Sequence, residues 1–176
     1  MYLVLSTSLN PQSRSWVLAE DIRNRLEKAG REVELLDLRD FQLPLCDGGK
    51  CYEDPAVHRV AAAVKNADGI VLAAPIYNYD VGAAAKNVIE LTGKAWTEKV
   101  VGFVCAAGGG VSYMSLMSVA NSLMLDFRSL IIPRFVFATG KAFDENNQIV
   151  DEDIQERLQQ LCARLVEVTE ALRRLS

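Results

Sequence analysis

The chain has 176 residues, of which 50% are hydrophobic and 24% are charged, and this composition predicts one globular domain covering residues 1–176. The formal net charge of −4 argues against nucleic acid or an anionic membrane as the main partner, because either would require a basic face. The sequence contains no basic leader followed by a long apolar stretch, so we expect a cytoplasmic protein without a membrane span.

Cysteine usage predicts neither a metal centre nor a disulfide. The four cysteines are Cys46, Cys51, Cys105 and Cys162, and His58 is the one histidine. No two cysteines form a C-x-x-C pair, whereas zinc and redox-dithiol sites usually show tighter spacing and more ligands. We therefore expect free thiols in a reducing compartment and no bound metal.

Apolar runs alternate with longer amphipathic stretches along the chain, which predicts repeated β-α units. The predicted strands are Tyr2–Ser6, Glu32–Asp37, Gly69–Ala74, Val100–Ala106 and Ile131–Ala138. The predicted helices are Ser13–Ala29, Pro55–Asn66, Gly82–Thr92, Ser112–Arg128 and Asp151–Leu175. Right-handed crossovers then favour a three-layer, doubly wound α/β fold with a five-stranded parallel sheet, in a flavodoxin-like or Rossmann-like order. Both orders place ligands at the carboxyl ends of the strands.

The loop after the first strand, Ser6 to Ser15, has the composition of an anion site. Hydroxyls, the Arg14 guanidinium and backbone N–H groups converge at a helix N-terminus, which suits a dianionic phosphate. The loop contains no glycine and no lysine, so it is neither a classical dinucleotide fingerprint nor a P-loop. The alternative is that Ser13 or Ser15 only caps the helix.

The turn after the third strand places Pro75, Ile76, Tyr77 and Asn78 at the mouth of the sheet, followed by Tyr79. Pro75 stiffens the turn, and Asn78 tolerates unusual backbone angles. A rigid turn with outward N–H groups is suited to hydrogen-bonding the edge of a flat ring such as isoalloxazine. The alternative is that the tyrosines pack under the next helix or in a subunit interface.

The turn after the fourth strand contains Gly108, Gly109 and Gly110 in succession. Consecutive glycines carry a large entropy cost, so they predict either positive φ angles or a close approach of the main chain to a ligand. The alternative is a flexible connection into the next helix.

Together the three turns resemble those of the NAD(P)H-dependent FMN reductase family, a branch of the flavodoxin-like fold. Residues 8–15 (SLNPQSRS) are similar to the family's G-S-x-R-x-x-S phosphate loop. Residues 75–78 (PIYN) and 82–87 (GAAAKN) resemble its P-x-Y-N and G-x-x-K-N signatures, and the three glycines match its third loop. The resemblance covers nearly the whole chain and implies the flavodoxin-like strand order 2-1-3-4-5.

The resemblance also implies which residues bind the cofactor. Ser8, Ser13 and Ser15 would hold the FMN phosphate with Arg14 nearby. The turn Pro75–Asn78 would line the flavin ring, and Gly108–Gly110 would approach it from the other side.

Four departures from the family pattern bear on affinity and specificity, one of which is Tyr79-Asp80-Val81 in place of the more usual S-x-P. Thr7 stands where the family usually has glycine. Asn10 stands where it usually has arginine, so one phosphate charge partner is absent and we expect modest FMN affinity. Ile76 replaces a frequent glutamate in the ring-binding turn.

The implied activity is hydride transfer from NADPH or NADH to FMN and then to an acceptor. The acceptor would be free flavin, a quinone, an azo compound or a metal oxyanion, with ping-pong kinetics because nicotinamide and acceptor share one face. No catalytic side chain is required, since the flavin carries the chemistry. The alternatives are a flavodoxin-type electron carrier and a non-catalytic FMN-binding module.

A homodimer or homotetramer is also implied by the resemblance. Tyr79, the small residues Ala83–Ala85, and Met114, Met117 and Met124 suit a subunit interface, because small residues permit close approach and methionines fill irregular contacts. The same residues would also suit the core of a monomer.

Overall fold

The computed structural model describes residues 1–175, and a mostly parallel sheet lies at its centre. The strands are β1 (Tyr2–Ser6), β2 (Val33–Asp37), β3 (Gly69–Tyr77), β4 (Asp80–Val81), β5 (Val100–Ala107), β6 (Leu130–Ile131) and β7 (Val136–Thr139). The order across the sheet is β2-β1-β3-β5, and both β6 and β7 pair in parallel with the outer edge of β5. This arrangement confirms the predicted α/β flavodoxin-like fold, with seven strands instead of five.

The two additional strands have local causes. The predicted strand Ile131–Ala138 is divided into β6 and β7, because Pro133 has no N–H to donate to a ladder and Arg134 adopts a φ of 60°. β4 pairs antiparallel with the end of β3. The intervening Asn78 and Tyr79 have φ values of 50° and 70°, as a tight hairpin turn requires.

In the described part of the chain, five α-helices cover the sheet: α1 (Arg14–Lys28), α2 (Pro55–Asn66), α3 (Ala83–Thr92), α4 (Met117–Phe127) and α5 (Glu152–Arg173). Side-chain oxygens of Ser13, Asp54 and Asp151 cap α1, α2 and α5. The predicted helix Ser112–Arg128 is shorter than expected, because residues Gly110–Leu116 form 3₁₀ turns before α4 begins.

The two faces of the sheet bury separate apolar clusters. Leu18 and Ile22 of α1 and Leu158 and Leu165 of α5 pack on one face. Helices α2, α3 and α4 supply the apolar residues on the other face, with Trp96 fully buried beside them. Since both faces are covered, the carboxyl edge of the sheet is where the loops form a concave surface. No helix within residues 1–175 is long and apolar enough to cross a bilayer.

Candidate functional site

A cleft of about 690 Å³ opens at the carboxyl ends of β1, β3 and β5. Its volume lies in the range of about 300–1,000 Å³ typical of small-molecule sites. The predicted site residues that line it are Ser8, Asn10, Ser13, Arg14, Ser15, Pro75, Ile76, Tyr77, Asn78 and Gly108. Gly109 and Gly110 do not line it, while Gln12, Ala106, Ala107 and Asn147 do.

The serine loop is folded around its own hydroxyls. Ser8, Ser13 and Ser15 are all buried, although they line the cleft. The Oγ atoms of Ser13 and Ser15 lie 2.9 Å apart, and Ser13 Oγ also accepts a hydrogen bond from the Trp16 N–H at 3.1 Å. Ser13 is therefore the N-cap of α1, as the alternative interpretation proposed, and it lies at the same time at the wall of the cleft. Hydroxyls grouped at a helix N-terminus match the needs of a phosphate.

Asn10 and Gln12 shape the outer part of this loop. Ser8 Oγ accepts a hydrogen bond from the Asn10 N–H at 3.3 Å, and Asn10 Oδ1 accepts one from the Gln12 N–H at 2.9 Å. The second bond is an Asx turn, which orders a loop without glycine. Asn10 thus stabilises the conformation of the loop and adds no charge to the cleft.

Arg14 is the one cation among the described residues that line the cleft. Its Nε donates to Asn147 Oδ1 at 3.2 Å, and its guanidinium lies 5.5 Å from the centre of the Phe143 ring. Gly140 makes room for it, since a Cβ at that position would lie 2.9 Å from Arg14 Nη1. The segment after β7 therefore positions Arg14 at the rim of the cleft.

Sequence reasoning missed a second cation beside the loop. The Arg39 guanidinium contacts the Asp37 carboxylate at 2.5 Å, lies 4.7 Å from the Trp16 ring centre, and donates to the Pro11 carbonyl at 3.3 Å. The hydrogen bond to Asp37 raises the pKa of Arg39 above its ordinary value. Arg39 does not line the cleft, so we interpret it as a brace for the loop.

The aromatic turn is the β3–β4 hairpin. Pro75 and Ile76 are buried, while 54% of the Tyr77 surface is exposed beside the cleft. Tyr79 does not pack under α3: its hydroxyl donates to the Val111 carbonyl at 2.6 Å, which ties the hairpin to the segment after the glycines. Tyr77 therefore exposes its ring beside the cleft, whereas Tyr79 joins the hairpin to Val111 in the third loop, which comprises residues 108–111.

The triple-glycine loop differs from its prediction. None of the three glycines has a positive φ, and no atom within 4 Å would meet an added Cβ at any of them. Only Gly108 reaches the cleft, because Gly110 already belongs to the 3₁₀ segment that leads away from it. Positive φ angles, the first of the two predicted explanations, are therefore wrong, and Gly109 and Gly110 lie outside the cleft; a close approach of the main chain to a ligand stays a prediction.

Buried serine hydroxyls and the exposed Tyr77 ring share one cleft at the carboxyl edge of a flavodoxin-like α/β sheet, an arrangement that suits a ligand with an anionic group and a flat ring. The family model for NADPH-dependent FMN reductases matches residues 2–144. A reductase from Geobacillus thermodenitrificans, described as an NAD(P)H-dependent FAD/FMN reductase, is 32% identical over 138 residues, covering 77% of this chain and 74% of its own. The chain therefore belongs to the NADPH-dependent FMN reductase family and is an oxidoreductase that uses FMN and NAD(P)H.

Two further similarities extend this result. A probable NADPH:quinone oxidoreductase from rice is 27% identical over 146 residues, which is 77% of this chain and 71% of the relative. The solved structure of an NAD(P)H:(acceptor) oxidoreductase from Paracoccus denitrificans superposes with a TM-score of 0.79, at 18% identity, over 97% of both chains. At that identity, the superposition supports the fold alone.

The residues of the cleft fit FMN by their chemistry. Buried serine hydroxyls at the start of α1 supply donors for a phosphate, and Pro75, Ile76 and Tyr77 supply an apolar wall for a ring. Within residues 1–175 no group of three or more histidine, cysteine, aspartate and glutamate side chains is arranged to hold a metal ion.

Proposed function

We propose that the cleft binds FMN with its phosphate at the serine loop and its ring against the β3–β4 hairpin. The observation that carries this proposal is the position of Ser13 and Ser15, whose buried hydroxyls lie 2.9 Å apart in the same cleft as the exposed ring of Tyr77. The N-terminus of α1 adds its dipole to the phosphate end. Residues 1–176 would form the single FMN-binding domain.

Each wall of the cleft has a defined role in this proposal. Ser8, Ser13 and Ser15 hold the phosphate through their hydroxyls, with one proton of the Ser13–Ser15 pair used in the bond between them, and Arg14, the one cation of the described lining, contributes a positive charge at the rim. The hairpin Pro75–Asn78 orients the ring through backbone N–H groups. Gly108, which has no side chain, leaves room for the opposite edge of the ring. Bound FMN supplies the redox chemistry, accepting hydride from NADPH or NADH and passing electrons to a second substrate.

We further propose that nicotinamide and acceptor occupy the same open face beside Tyr77, one after the other. Planar conjugated acceptors, such as free flavin, a quinone or an azo compound, would stack on this ring. They are favoured over a metal oxyanion because Arg14, the cation of the described lining, lies at the phosphate end. The similarity to an NADPH:quinone oxidoreductase supports a quinone as the first acceptor to test.

Steady-state kinetics test the shared face. The purified chain is loaded with FMN and assayed with NADPH or NADH and a quinone at several fixed concentrations of each. Parallel double-reciprocal lines are expected, whereas intersecting lines would contradict sequential occupation of one face. If nicotinamide absorbance is not lost with any acceptor, the activity assignment itself fails and an electron carrier or a non-catalytic module is favoured.

Two tyrosine variants test whether the proposed shared binding face lies beside Tyr77. Tyr77→Leu is expected to raise the KM for quinone several-fold, because the exposed ring lines the cleft. Tyr52→Leu is the control, since Tyr52 is similarly exposed but lies outside the cleft. Equal effects of the two substitutions would contradict the proposed role of Tyr77.

We also propose a homo-oligomer that buries the exposed apolar surface around the third loop. Tyr79, Val111, Met114 and Met117 expose 60%, 79%, 61% and 41% of their surface, in the hairpin, the segment before α4 and the first residue of α4. Tyr79 and Val111 are in direct contact. Clustered apolar exposure of this kind is typical of an interface. In analytical ultracentrifugation, Met114→Glu should shift the wild-type dimer or tetramer toward monomer, while Val150→Glu should not. A wild-type monomer would overturn this proposal.

A further inference from the structure

A second cleft of about 830 Å³ lies between the loop after β2, helix α3 and the end of α4. It shares no lining residue with the first cleft. Cys46 and Tyr52 form one wall, and Lys86 and Lys94 stand among the residues of the other. Glu90 and Asp126 also line this cleft, and Lys86 is paired with Glu90 at 2.6 Å. The lysines are therefore not the basis of Cys46 reactivity; what favours reaction is a thiol at the wall of a solvent-accessible cleft.

The loop around Cys46 is ordered by hydrogen bonds that bring Cys51 to it. Asp47 Oδ1 accepts hydrogen bonds from the Gly49 N–H at 2.8 Å and the Cys51 N–H at 3.2 Å. These bonds fold residues 47–50, which separate the two cysteines, into a turn. Cys46 packs against the small apolar cluster that contains Cys51, which places the two cysteines side by side across this turn. Asn87 of α3 fixes the loop from outside by accepting from the Cys46 N–H at 2.9 Å.

The two thiols have opposite environments. Cys46 is partly exposed, and a hydrogen bond with the Tyr52 hydroxyl, at 3.4 Å from Sγ, lowers its pKa. Cys51 is only 5% exposed, packs with Val57 and Leu91, and has a pKa raised by burial. One thiol is accessible and biased toward thiolate, and its neighbour is buried and biased toward the protonated form.

The other two cysteines show no such arrangement. Cys105 lies in β5 and Cys162 in α5, in apolar clusters on opposite faces of the sheet. Burial raises the pKa of each to about 12. Thiols of this kind are inert, because thiolate is the reactive form.

We propose that Cys46 and Cys51 form a dithiol that hydrogen peroxide oxidises to an intramolecular disulfide, with Cys46 as nucleophile and Cys51 as resolving thiol. Cys46 Sγ attacks one peroxide oxygen, the O–O bond breaks, and the products are a Cys46 sulfenic acid and one water. Cys51 Sγ then attacks the Cys46 sulfur, the S–O bond breaks, and the hydroxide leaves as a second water with the Cys51 proton. Peroxide gains the two electrons that the thiols lose. This pair was not predicted from sequence, because C-x₄-C is wider than the usual redox spacing.

The experiment uses the full chain and requires no flavin, so it is independent of the proposed function. The protein is treated with a small excess of hydrogen peroxide, its remaining thiols are alkylated, and it is digested with trypsin. Cleavage after Arg39, Lys50 and Arg59 separates peptide 40–50, with Cys46, from peptide 51–59, with Cys51. The expected product is a disulfide linking these two peptides, in protein that migrates unchanged on a non-reducing gel.

Substitutions assign the two roles. In Cys51→Ser, a dimedone adduct should accumulate on Cys46 and the linked peptides should be absent. In Cys46→Ser, Cys51 should remain a thiol after the same treatment. Tyr52→Phe should slow oxidation roughly threefold for each unit by which the Cys46 pKa rises, because greater intrinsic nucleophilicity partly offsets the lower thiolate fraction. Tyr113→Phe and Cys162→Ala are controls that should leave the rate unchanged, and circular dichroism verifies that every variant is folded.

Three results would overturn the proposal. The first is the absence of linked peptides at a peroxide dose that oxidises a free low-pKa thiol completely. The second is a linkage that appears only as a covalent dimer on the gel. The third is oxidation of Cys105 or Cys162 at the same rate as Cys46.

Discussion

The serine loop after β1 and the glycine loop after β5 lie on the same edge of the sheet, yet they contribute to the cleft in different ways. The serine loop is built from side chains: Ser13 caps α1, its hydroxyl contacts that of Ser15, and Asn10 closes an Asx turn. The glycine loop has no side chains, and none of its three glycines has an atom within 4 Å of an added Cβ. One loop presents donors in fixed positions, whereas the other provides only space.

This difference explains why the sequence is more informative about the serine loop than about the glycine loop. Hydroxyl-rich residues before a helix predict both a cap and an anion site, and the Ser13 hydroxyl that caps α1 also lines the cleft. Consecutive glycines show that side chains are absent at these positions, but they do not reveal whether a ligand, a backbone angle or a flexible connection requires that absence. The following variants test whether FMN affinity depends more on the donors of the serine loop than on the space at the glycine loop. They are given from the largest expected effect to the smallest.

Ser13→Ala should weaken FMN binding most. Removing a hydrogen bond to a charged group costs about 1.5–3 kcal/mol, which corresponds to an increase in Kd of roughly tenfold or more. Loss of the cap should also destabilise the fold by about 1 kcal/mol. Isothermal titration calorimetry measures the affinity, and thermal unfolding measures the stability.

Asp54→Ala is the matched control, because Asp54 caps α2 away from the cleft. It should produce a similar loss of stability with unchanged FMN affinity. If Ser13→Ala behaves in the same way, the serine is a cap only and the proposed phosphate site is wrong.

Asn10→Arg should strengthen FMN binding by about three- to tenfold at low salt, because it adds a charged donor at the rim of the phosphate pocket. The gain should shrink as salt is raised, since the new charge is exposed to screening. Fluorescence quenching of FMN at two ionic strengths measures both quantities. Asn24→Arg, on the exposed face of α1, adds the same charge outside the cleft and should not change the affinity; an equal gain would indicate a nonspecific charge effect.

Gly108→Ala should have opposite effects on the fold and on the site. The free protein should be unchanged or stabilised by up to about 1 kcal/mol, because the added Cβ meets nothing and the unfolded chain loses entropy. FMN binding should weaken by about threefold if the ring approaches this backbone. Gly109→Ala, outside the cleft, should share the stability effect without the change in Kd. Unaltered affinity in both variants would remove the glycine loop from the site.

Tyr79→Phe should have the smallest effect. It removes only the hydroxyl that donates to the Val111 carbonyl, so the hairpin and the third loop lose their direct hydrogen bond. We expect a stability loss of about 0.5–1.5 kcal/mol and a change in FMN affinity of about twofold or less. An affinity loss as large as that of Ser13→Ala would show that coupling between the loops matters more than the donors of the serine loop.

Local patterns in the sequence predicted the parallel strands, the crossover helices and the three loops that meet at the carboxyl edge. These features depend on short-range physical rules: buried parallel strands require continuous apolar runs, and helix starts favour hydroxyl and acidic caps. The predicted element bounds were wrong where individual residues interrupt an apolar or helical stretch of sequence. Pro133 and Arg134 interrupt the predicted fifth strand, and residues 110–116 form 3₁₀ turns in place of the expected start of α4.

Tertiary structure alone decided which side chains meet across long stretches of chain. Arg14 is joined to Asn147, 133 residues away, and Tyr79 to the carbonyl of Val111, 32 residues away. It also decided that Cys46 and Cys51 are neighbours in unlike environments, while Cys105 and Cys162 are buried on opposite faces of the sheet. Periodicity and capping act within a few residues, so they specify elements and loop chemistry. Contacts between loops depend on how the whole sheet packs and twists, and no local pattern in this sequence encodes them.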